Sequence, residues 1–328
     1  MTDCREGGPA GTDAERDTAP VRTDGGTAAD EGGLRARLAG VDAGRAGLYV
    51  TLLALVAFYM TPIETGLVTS FKTTGAVTET APFAPPAEGF TLEKWQTAFD
   101  VLLRGVGNSV LYAVPATIIS ASFGSLAAYG LTTTNLRGRY KAVVITMFVA
   151  GIFIPYQAVL IPLTQFWSNV VPLNELLGFV WALGINDDYV GIIELIVTHV
   201  AYGIPICTIL FRSYYKNMSE EMIESARLDG ASLRRVYRRI VLPLSTPMFA
   251  VVLIYQFTQI WNDLLFTLVL VATESSAAAP VVLILAGLGT SQEGTDFALR
   301  MAGAFLAALP TLAVYIGFGD EFAEGVAT

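Results

Sequence analysis

The stretch GVGNSVLYAVPATIISASFGSLAAYGLTTTNL, residues 105–136, contains no charged side chain and lies between Arg104 and Arg137. A helix needs about 20 apolar residues to cross the hydrocarbon core of a bilayer. Lipid offers no hydrogen-bonding partner to backbone N–H and C=O groups, so a spanning segment must satisfy them within itself, as a helix does. The stretch therefore predicts a membrane-spanning helix.

Charge-free runs of similar length recur along the chain and predict an all-α integral membrane protein. With the first stretch they give six transmembrane helices, expected at about 46–70, 106–133, 142–166, 190–212, 246–272 and 301–318. A seventh apolar segment, Ala277–Gly289, is too short to span a bilayer and contains Pro280. We expect it to be an external interfacial or re-entrant segment.

The composition agrees with a membrane protein and disfavours several function classes. Charged residues make up 15% of the chain, whereas an average soluble domain carries about 25%. The net charge of −9 makes a nucleic-acid partner unexpected. Residues 1–33 are acidic and lack aromatic side chains, so we expect a disordered tail, followed by a cytoplasmic lead-in at 34–45.

The distribution of lysine and arginine predicts the orientation of the chain, because short cytoplasmic loops carry an excess of both. Basic residues concentrate before the first span, between the second and third, and between the fourth and fifth. These segments, including the long loop 213–245, are therefore expected in the cytoplasm. The sequence predicts a multi-pass protein of the cell membrane with both termini inside, including the short tail 319–328.

The first half of the loop between the fourth and fifth spans has the pattern of a short helix. Asn217 is expected to cap it, with Glu220 three residues later completing a capping box. Met222, Ile223 and Ala226 form an apolar stripe. Gly230 is expected to supply the left-handed residue that ends the helix.

The second half of this loop has the pattern of an amphipathic helix that begins at Ala231. Its apolar face is expected to contain Leu233, Val236, Tyr237 and Ile240. Four arginines lie on the opposite face, at positions 234, 235, 238 and 239.

The loop resembles the EAA loop of ABC-importer permeases. The resemblance is carried by ESARLDGA at 224–231, IVLPL at 240–244 and Pro247. It is greatest to the binding-protein-dependent carbohydrate permeases of the maltose-system G-subunit type and covers roughly residues 46–325. Matches outside the loop are Asn108-Ser109, Pro155, Ile161-Pro162, Gly203–Pro205, Trp261–Asp263, Ala302–Ala304 and Leu309-Pro310.

This resemblance implies a type I ABC-importer permease fold and a division of labour among subunits. The helix Ser219–Leu228 would be a coupling helix that docks into a cleft on a separate ATPase. The implied partners are a second homologous permease, two ATPase subunits and an extracellular solute-binding protein, with membrane lipid around them. The residues implied in the coupling loop are Glu224, Ala226, Asp229, Gly230, Ala231, Ile240, Leu242 and Pro243.

The chain lacks the sequence features of an enzyme. A P-loop needs a Gly-Lys pair, and none of the four lysines follows a glycine. The single histidine, His199, excludes any site that needs two imidazoles. We therefore expect no catalytic residue, no metal site and no cofactor in this chain, with ATP and magnesium bound by the partner ATPase.

Polar residues at membrane depth are costly and indicate function. Trp261, Asn262 and Asp263 in the fifth span, with Gln157 in the third, form a candidate substrate path. An aromatic ring beside hydrogen-bonding groups suits a sugar. The same residues also suit packing between helices, and the sequence leaves both interpretations open.

The sequence therefore predicts a permease subunit that forms half of the translocation path of an ABC importer for a carbohydrate. The alternatives are a secondary transporter, or an importer for a non-sugar solute such as glycerol phosphate. A membrane scaffold without transport activity is a third possibility. We see no internal repeat of the kind that many secondary transporters contain.

Overall fold

The computed structural model describes residues 43–86, 89–134, 137–271, 273–292 and 294–322. The expected disordered tail 1–33, most of the lead-in and the last six residues lie outside this part of the chain. The described residues fall into two compact units, 1–60 and 61–328. Every site discussed below belongs to the second unit.

The described residues are predominantly helical. They also include two π-helical turns, Phe166–Val170 and Tyr237–Val241. A 3₁₀ turn lies at Asp187–Tyr189. The helices are α1 Ala43–Ser70, α2 Thr74–Glu79, α3 Glu93–Thr133, α4 Gly138–Ile152, α5 Tyr156–Gln165, α6 Leu173–Leu176, α7 Gly178–Trp181, α8 Val190–Lys216, α9 Glu220–Leu228, α10 Leu233–Val236, α11 Leu242–Leu244, α12 Thr246–Trp261, α13 Leu265–Leu270, α14 Val281–Gly287 and α15 Phe297–Gly317. The strands β1 Thr290–Ser291 and β2 Gly294–Thr295 pair antiparallel in a small hairpin.

The described residues contain four continuous helices that are long and apolar enough to cross a membrane, at 44–70, 93–133, 187–216 and 297–317. Two further candidates are pairs of helices bent at a break, Gly138–Ile152 with Tyr156–Leu176 and Leu233–Leu244 with Thr246–Trp261, so the described residues have up to six spans if each pair counts as one. The fold is therefore an all-helical membrane architecture, as the charge-free runs predict.

The third predicted span, 142–166, is wrong as a single helix. It is divided into α4 and α5, and the pair bends by 95°. Pro155 explains the break, because proline has no backbone N–H and its ring disfavours a helical conformation at the residue before it. Phe153 ends α4, and Pro155 itself stands at the N-terminus of α5 in an extended conformation.

The fifth predicted span, 246–272, is also broken. Helix α12 ends at Trp261, and the amide of Asn262 donates a hydrogen bond to the carbonyl of Thr258 over 2.9 Å. The carboxylate of Asp263 then accepts a hydrogen bond of 3.0 Å from the N–H of Phe266, in the first turn of α13. Asparagine and aspartate compete in this way with the helical backbone, so the pair ends one helix and starts the next.

Two predicted spans begin too late in the chain. Helix α3 starts at Glu93 rather than at 106, and α15 starts at Phe297 rather than at 301. Each helix begins before its charge-free run, and its first turn contains a charged residue. The ammonium of Lys94 lies 2.6 Å from the Asp296 carboxylate, which also caps α15 by accepting a hydrogen bond from the N–H of Leu299.

This ion pair joins the ends of α3 and α15 outside the apolar segments. Burial alone would raise the pKa of the Asp296 carboxyl, but hydrogen bonds from Lys94 and from the backbone of Leu299 hold that pKa below its ordinary value. Asp296 is therefore ionised at neutral pH. Its favourable interaction with Lys94 is lost only as the pH falls through that lowered pKa.

The seventh apolar segment contains a short helix, α14, that packs against α3. The side-chain amide of Asn108 donates hydrogen bonds to the carbonyls of Ala277 and Ala279. The hydroxyl of Ser109 accepts a hydrogen bond of 2.9 Å from the N–H of Val281. A side chain at Gly105 would lie 2.9 Å from the Cα of Val281. The Asn-Ser pair thus holds the start of α14, because its free backbone groups need partners.

The core of the second unit is the packing of α3 against α8, where small residues allow a close approach. Ala116, Ser120, Ala121 and Ala128 on α3 are buried. A Cβ at Gly124 would collide with the Cβ of Cys207 and lie 3.0 Å from that residue's backbone carbon. Membrane helices gain van der Waals contact in this way, because lipid provides no hydrophobic driving force between them.

We expect Gly124→Ala to destabilise the protein, because α3 and α8 must separate to admit the methyl group. Overpacking of this kind costs about 1–3 kcal/mol. The matched control is Gly107→Ala on the same helix, where a Cβ meets nothing within 4 Å. Thermal unfolding in detergent should show a lower midpoint for the first variant and an unchanged or higher midpoint for the second. Equal midpoints would contradict this packing.

Candidate functional site

The loop between α8 and α12 contains the short helix α9, whose start differs by two residues from the capping prediction. Asn217 belongs to the end of α8, where its N–H bonds the carbonyl of Tyr214. Ser219 caps α9 instead, since its hydroxyl accepts the N–H of Met222 at 3.4 Å. The capping-box assignment of Asn217 is therefore wrong, because α8 continues further than the charge-free run indicates.

Helix α9 ends as the sequence predicts, at a glycine in the left-handed region. Gly230 has φ of +78°. The N–H of Gly230 bonds the carbonyl of Arg227, and the N–H of Ala231 bonds that of Ala226 over 3.0 Å. These two bonds form a Schellman motif, which satisfies carbonyls that a helix end otherwise leaves free. Asp229 is the residue at the C-cap.

The two faces of α9 have different surroundings. Ile223 and Ala226 are half-buried and pack against an apolar cluster that includes Phe211 and Val241. The other face is open to solvent, where Leu228 is 88% exposed.

The second half of the loop is not one continuous amphipathic helix. Ser232 caps the single turn α10, and a π-helical turn, Tyr237–Val241, follows it. The extra residue in a π turn shifts the register of the faces. Val236 and Val241 are consequently the buried residues, whereas Ile240 and Tyr237 are half-buried and Leu233, Leu242 and Pro243 are exposed.

Hydroxyl groups fasten this half of the loop to the transmembrane helices. The Ser125 hydroxyl on α3 lies 2.6 Å from the Tyr215 hydroxyl on α8 and 2.8 Å from the Tyr237 hydroxyl in the loop. We call these three residues the serine–tyrosine cluster. Beside it, the hydroxyl of Tyr129 donates to the carbonyl of Leu233 and that of Tyr214 donates to the carbonyl of Leu244.

A cavity of about 340 Å³ lies between α9 and the ends of α3 and α8. Among the residues that the structure describes, Glu224 contributes the one carboxylate of its lining. The cationic residues that line it are Lys141, Arg212, Lys216 and Arg227. Helix α9 is thus attached at its ends and along one side, while a polar space remains beneath it.

The residues of the predicted substrate path separate into different environments. The Trp261 ring is 1% exposed, and its indole N–H donates to the carbonyl of Ala307 on α15 over 2.9 Å. These contacts are those of packing between helices. Asn262 and Gln157 are exposed, and Asn262 bonds its own helix.

Asp263 is the member of that group that lies in a polar interior. Its carboxylate is 3.7 Å from the Nε2 atom of His199 on α8, which is longer than a hydrogen bond. His199 stacks on the ring of Tyr112, with centroids 5.7 Å apart. Asp263 also caps α13 by accepting a hydrogen bond from the N–H of Phe266, and it thereby fixes the position of Phe266.

Comparison with known proteins identifies the class of this protein. Residues 120–318 match the family described as binding-protein-dependent transport system inner membrane component. This segment is more than half of the chain and contains the loop between α8 and α12, the part of the α3–α8 contact around Gly124 and the break around Asn262. The chain belongs to this family of transport permeases and is a membrane protein with several spanning helices.

Two relatives resemble the chain over most of its length. The xylose/arabinose import permease protein XacI of Haloferax volcanii is 47% identical over 287 residues, which are 87% of this chain and 92% of that protein. A probable ABC transporter permease protein of Pyrococcus horikoshii is 38% identical and covers 85% of this chain and 94% of that protein.

A solved structure shares the fold at low sequence identity. It is a bacterial alginate ABC transporter in complex with an alginate pentasaccharide-bound periplasmic protein. One of its chains superposes with a TM-score of 0.62 at 17% identity, covering 83% of this chain and 92% of that one. The membrane architecture is therefore that of an ABC-transporter permease.

Sequence reasoning missed the serine–tyrosine cluster and the aromatic group around Phe266. Ser125 lies in an apolar run where a lone serine has no distinguishing pattern. The concentration of tyrosines near the loop, at 129, 214, 215 and 237, is the signal that could have indicated a hydroxyl network.

We expect Ser125→Ala to loosen the loop from the membrane helices, because the hydroxyls of Tyr215 and Tyr237 lose their shared partner. A buried polar group left without a hydrogen bond costs about 1–3 kcal/mol. Hydrogen–deuterium exchange should show faster exchange of the amides in Leu233–Leu244. Ser122→Ala, on the exposed side of the same helix, is the control and should leave these rates unchanged. Unchanged rates in both variants would show that the cluster does not hold the loop.

Proposed function

We propose that this permease is the membrane subunit of an ABC importer that translocates a carbohydrate, and that this carbohydrate is a pentose. The observation that carries the proposal is the 47% identity to a xylose/arabinose import permease across nearly the whole of both chains. A glucose import permease of Saccharolobus solfataricus and an alpha-glucoside permease of Rhizobium meliloti also match, at 27% and 30% identity.

In this proposal the energy comes from a partner ATPase that grips α9. The helix is short, capped at both ends and exposed on its outer face, with Leu228 foremost. Glu224, which faces the four cationic residues of the cavity, and Asp229, at the C-cap, fix the loop, and Gly230 permits its turn. ATP and magnesium bind to the partner, because this chain contains no Gly-Lys pair for a P-loop.

The remaining partners follow from the same proposal. A second homologous permease completes the path, two ATPase subunits bind the two coupling loops, and an external binding protein delivers the sugar. Both termini and the loop containing α9 lie in the cytoplasm, which the excess of arginine in that loop supports. A solved alginate transporter with its periplasmic protein bound supports this arrangement by its shared fold.

Transport movement passes from α9 to the membrane through packed elements. The serine–tyrosine cluster joins the loop to α3 and α8, which are themselves in close contact. A rigid-body rotation of α9 therefore moves the cytoplasmic ends of both helices, as in other shear and hinge transitions. The family assignment disfavours the secondary-transporter alternative, in which this chain would work alone.

We expect Gly230→Val to uncouple ATP hydrolysis from uptake. A β-branched residue at positive φ costs about 1–3 kcal/mol, so the end of α9 should change conformation. Gly230→Asn is the matched control, since asparagine tolerates the left-handed region. In proteoliposomes that contain the full complex, the Val variant should retain ATP hydrolysis but lose uptake, whereas the Asn variant should retain both.

Full ATP-driven uptake by the Val variant would contradict the coupling role of α9. The proposal itself is tested by uptake of labelled xylose, arabinose and glucose into the same vesicles, loaded with ATP and supplied with the binding protein. Uptake of one of these sugars that requires both ATP and this chain supports the proposal. Uptake driven by a proton or sodium gradient without the ATPase would overturn it.

A further inference from the structure

The two helix breaks meet around one aromatic residue. Phe266, from α13 just after the second break, is fully buried. Its ring centroid lies 4.8 Å from that of Tyr156, the first residue after the other break, and 5.1 Å from that of Tyr202 on α8. Broken helices at membrane depth are tolerated where they are packed in protein or line a cavity, and in transporters they form substrate sites.

A small cavity, here called the membrane cavity, opens beside this group between α5, α8 and α12. It has a volume of about 30 Å³. This is room for one or two water molecules or for a ligand hydroxyl, since one water needs about 10–15 Å³ by this measure. Its polar lining consists of Tyr156, His199, Tyr202, Tyr255, Gln256 and Gln259.

His199 supplies a hydrogen-bonding group that no protein atom satisfies. Its ring is 4% exposed, and among the described residues its Nε2 atom has no hydrogen-bond partner. The nearest carboxylate oxygen, on Asp263, is 3.7 Å away and already accepts the N–H of Phe266. A buried imidazole nitrogen without a partner is costly, so a group entering the cavity would gain by bonding it.

The mouth of the membrane cavity presents groups that suit the ring of a sugar. Tyr156, Tyr255 and Gln259 are exposed, and Tyr202 is half-buried. Tyrosine rings offer a flat face to C–H groups, and the glutamine amide offers both a donor and an acceptor to hydroxyls. Gln256 reaches the inner wall because Gly203 on α8 has no side chain in its place.

The charge of the lining determines which solute class fits. Within the part of the chain that the structure describes, no lysine or arginine lines this cavity. A phosphorylated solute such as glycerol phosphate needs cationic partners when it leaves water. A neutral polyol or sugar needs only hydrogen bonds, which this lining supplies.

We propose that the membrane cavity is a carbohydrate contact site in the translocation path of this chain. Tyr255 and Gln259 contact the passing sugar, one hydroxyl of which enters the cavity toward His199. Asp263 is a positioning residue, which acts by fixing Phe266 behind the site. The site selects neutral sugars over anionic solutes. The assignment of this contact site rests on the proposed function, because a sugar must pass through this chain for the contact to occur.

The test uses Tyr255→Ala and Gln259→Ala, whose exposed side chains make folding defects less of a concern. Each variant is assembled with its partners in proteoliposomes and assayed with the sugar that the wild-type complex transports fastest among xylose, arabinose and glucose. Loss of one hydrogen bond or ring contact should lower maximal uptake by about five- to tenfold. Tyr315→Ala, an exposed tyrosine on α15, is the matched control.

A second readout separates contact from structure. Single-deoxy forms of the transported sugar are assayed with the wild-type complex and with Gln259→Ala. If the amide bonds one hydroxyl, the sugar that lacks this hydroxyl is transported at the same rate by both, while the parent sugar is not. Basal ATP hydrolysis by the partner subunits serves as the measure of correct assembly for the complexes with Tyr255→Ala and Gln259→Ala.

The outcomes distinguish the two proposals. Sugar uptake that is unchanged in both variants would overturn the contact site and leave the importer function standing. An equal loss for the parent and every deoxy sugar, together with loss of basal ATP hydrolysis, would assign these residues a structural role and overturn the contact site. A wild-type complex that transports none of the sugars would overturn the proposed function and the contact site together.

Discussion

Helices α3 and α8 approach each other so closely that Gly124 has no room for a side chain beside Cys207. Dispersion forces between densely packed backbones hold such a contact together, and they act only when the surfaces fit. Helices α12, α14 and α15 pack on this pair. The close contact therefore forms the frame on which the proposed coupling loop and the membrane cavity are both built.

The two proposed functional regions lie at different positions along this frame. At the end near the loop, the hydroxyl of Ser125 on α3 lies beside those of Tyr215 on α8 and Tyr237 in the loop, and so fastens the loop to both helices. Further along, His199 on α8 faces the membrane cavity, and Gly203 leaves the space that Gln256 occupies. In the proposed mechanism, a movement of α9 is transmitted to the walls of the cavity through these packed helices.

The sequence predicted the helical class and the loop with its left-handed Gly230, because hydrophobic length and glycine chemistry act locally. It did not predict the breaks at Pro155 and Asn262–Asp263. Proline is tolerated in many membrane helices, and whether a helix breaks depends on neighbours that supply new hydrogen bonds. For the same reason the sequence did not predict the burial of Val241, because a π turn departs from the 3.6-residue period of an α-helix. It did not predict the membrane cavity either, because residues of three separate helices line it.

The central claim is that the coupling helix and the α3–α8 frame move as one body. It is tested most directly by electron–electron distance measurement between spin labels at Leu228 on α9 and Ser122 on α3, in the complex assembled with its ATPase. The account predicts one narrow distance distribution that stays the same with and without ATP. A distribution that shifts or broadens when ATP binds would show that α9 moves independently of the frame, and would contradict the account.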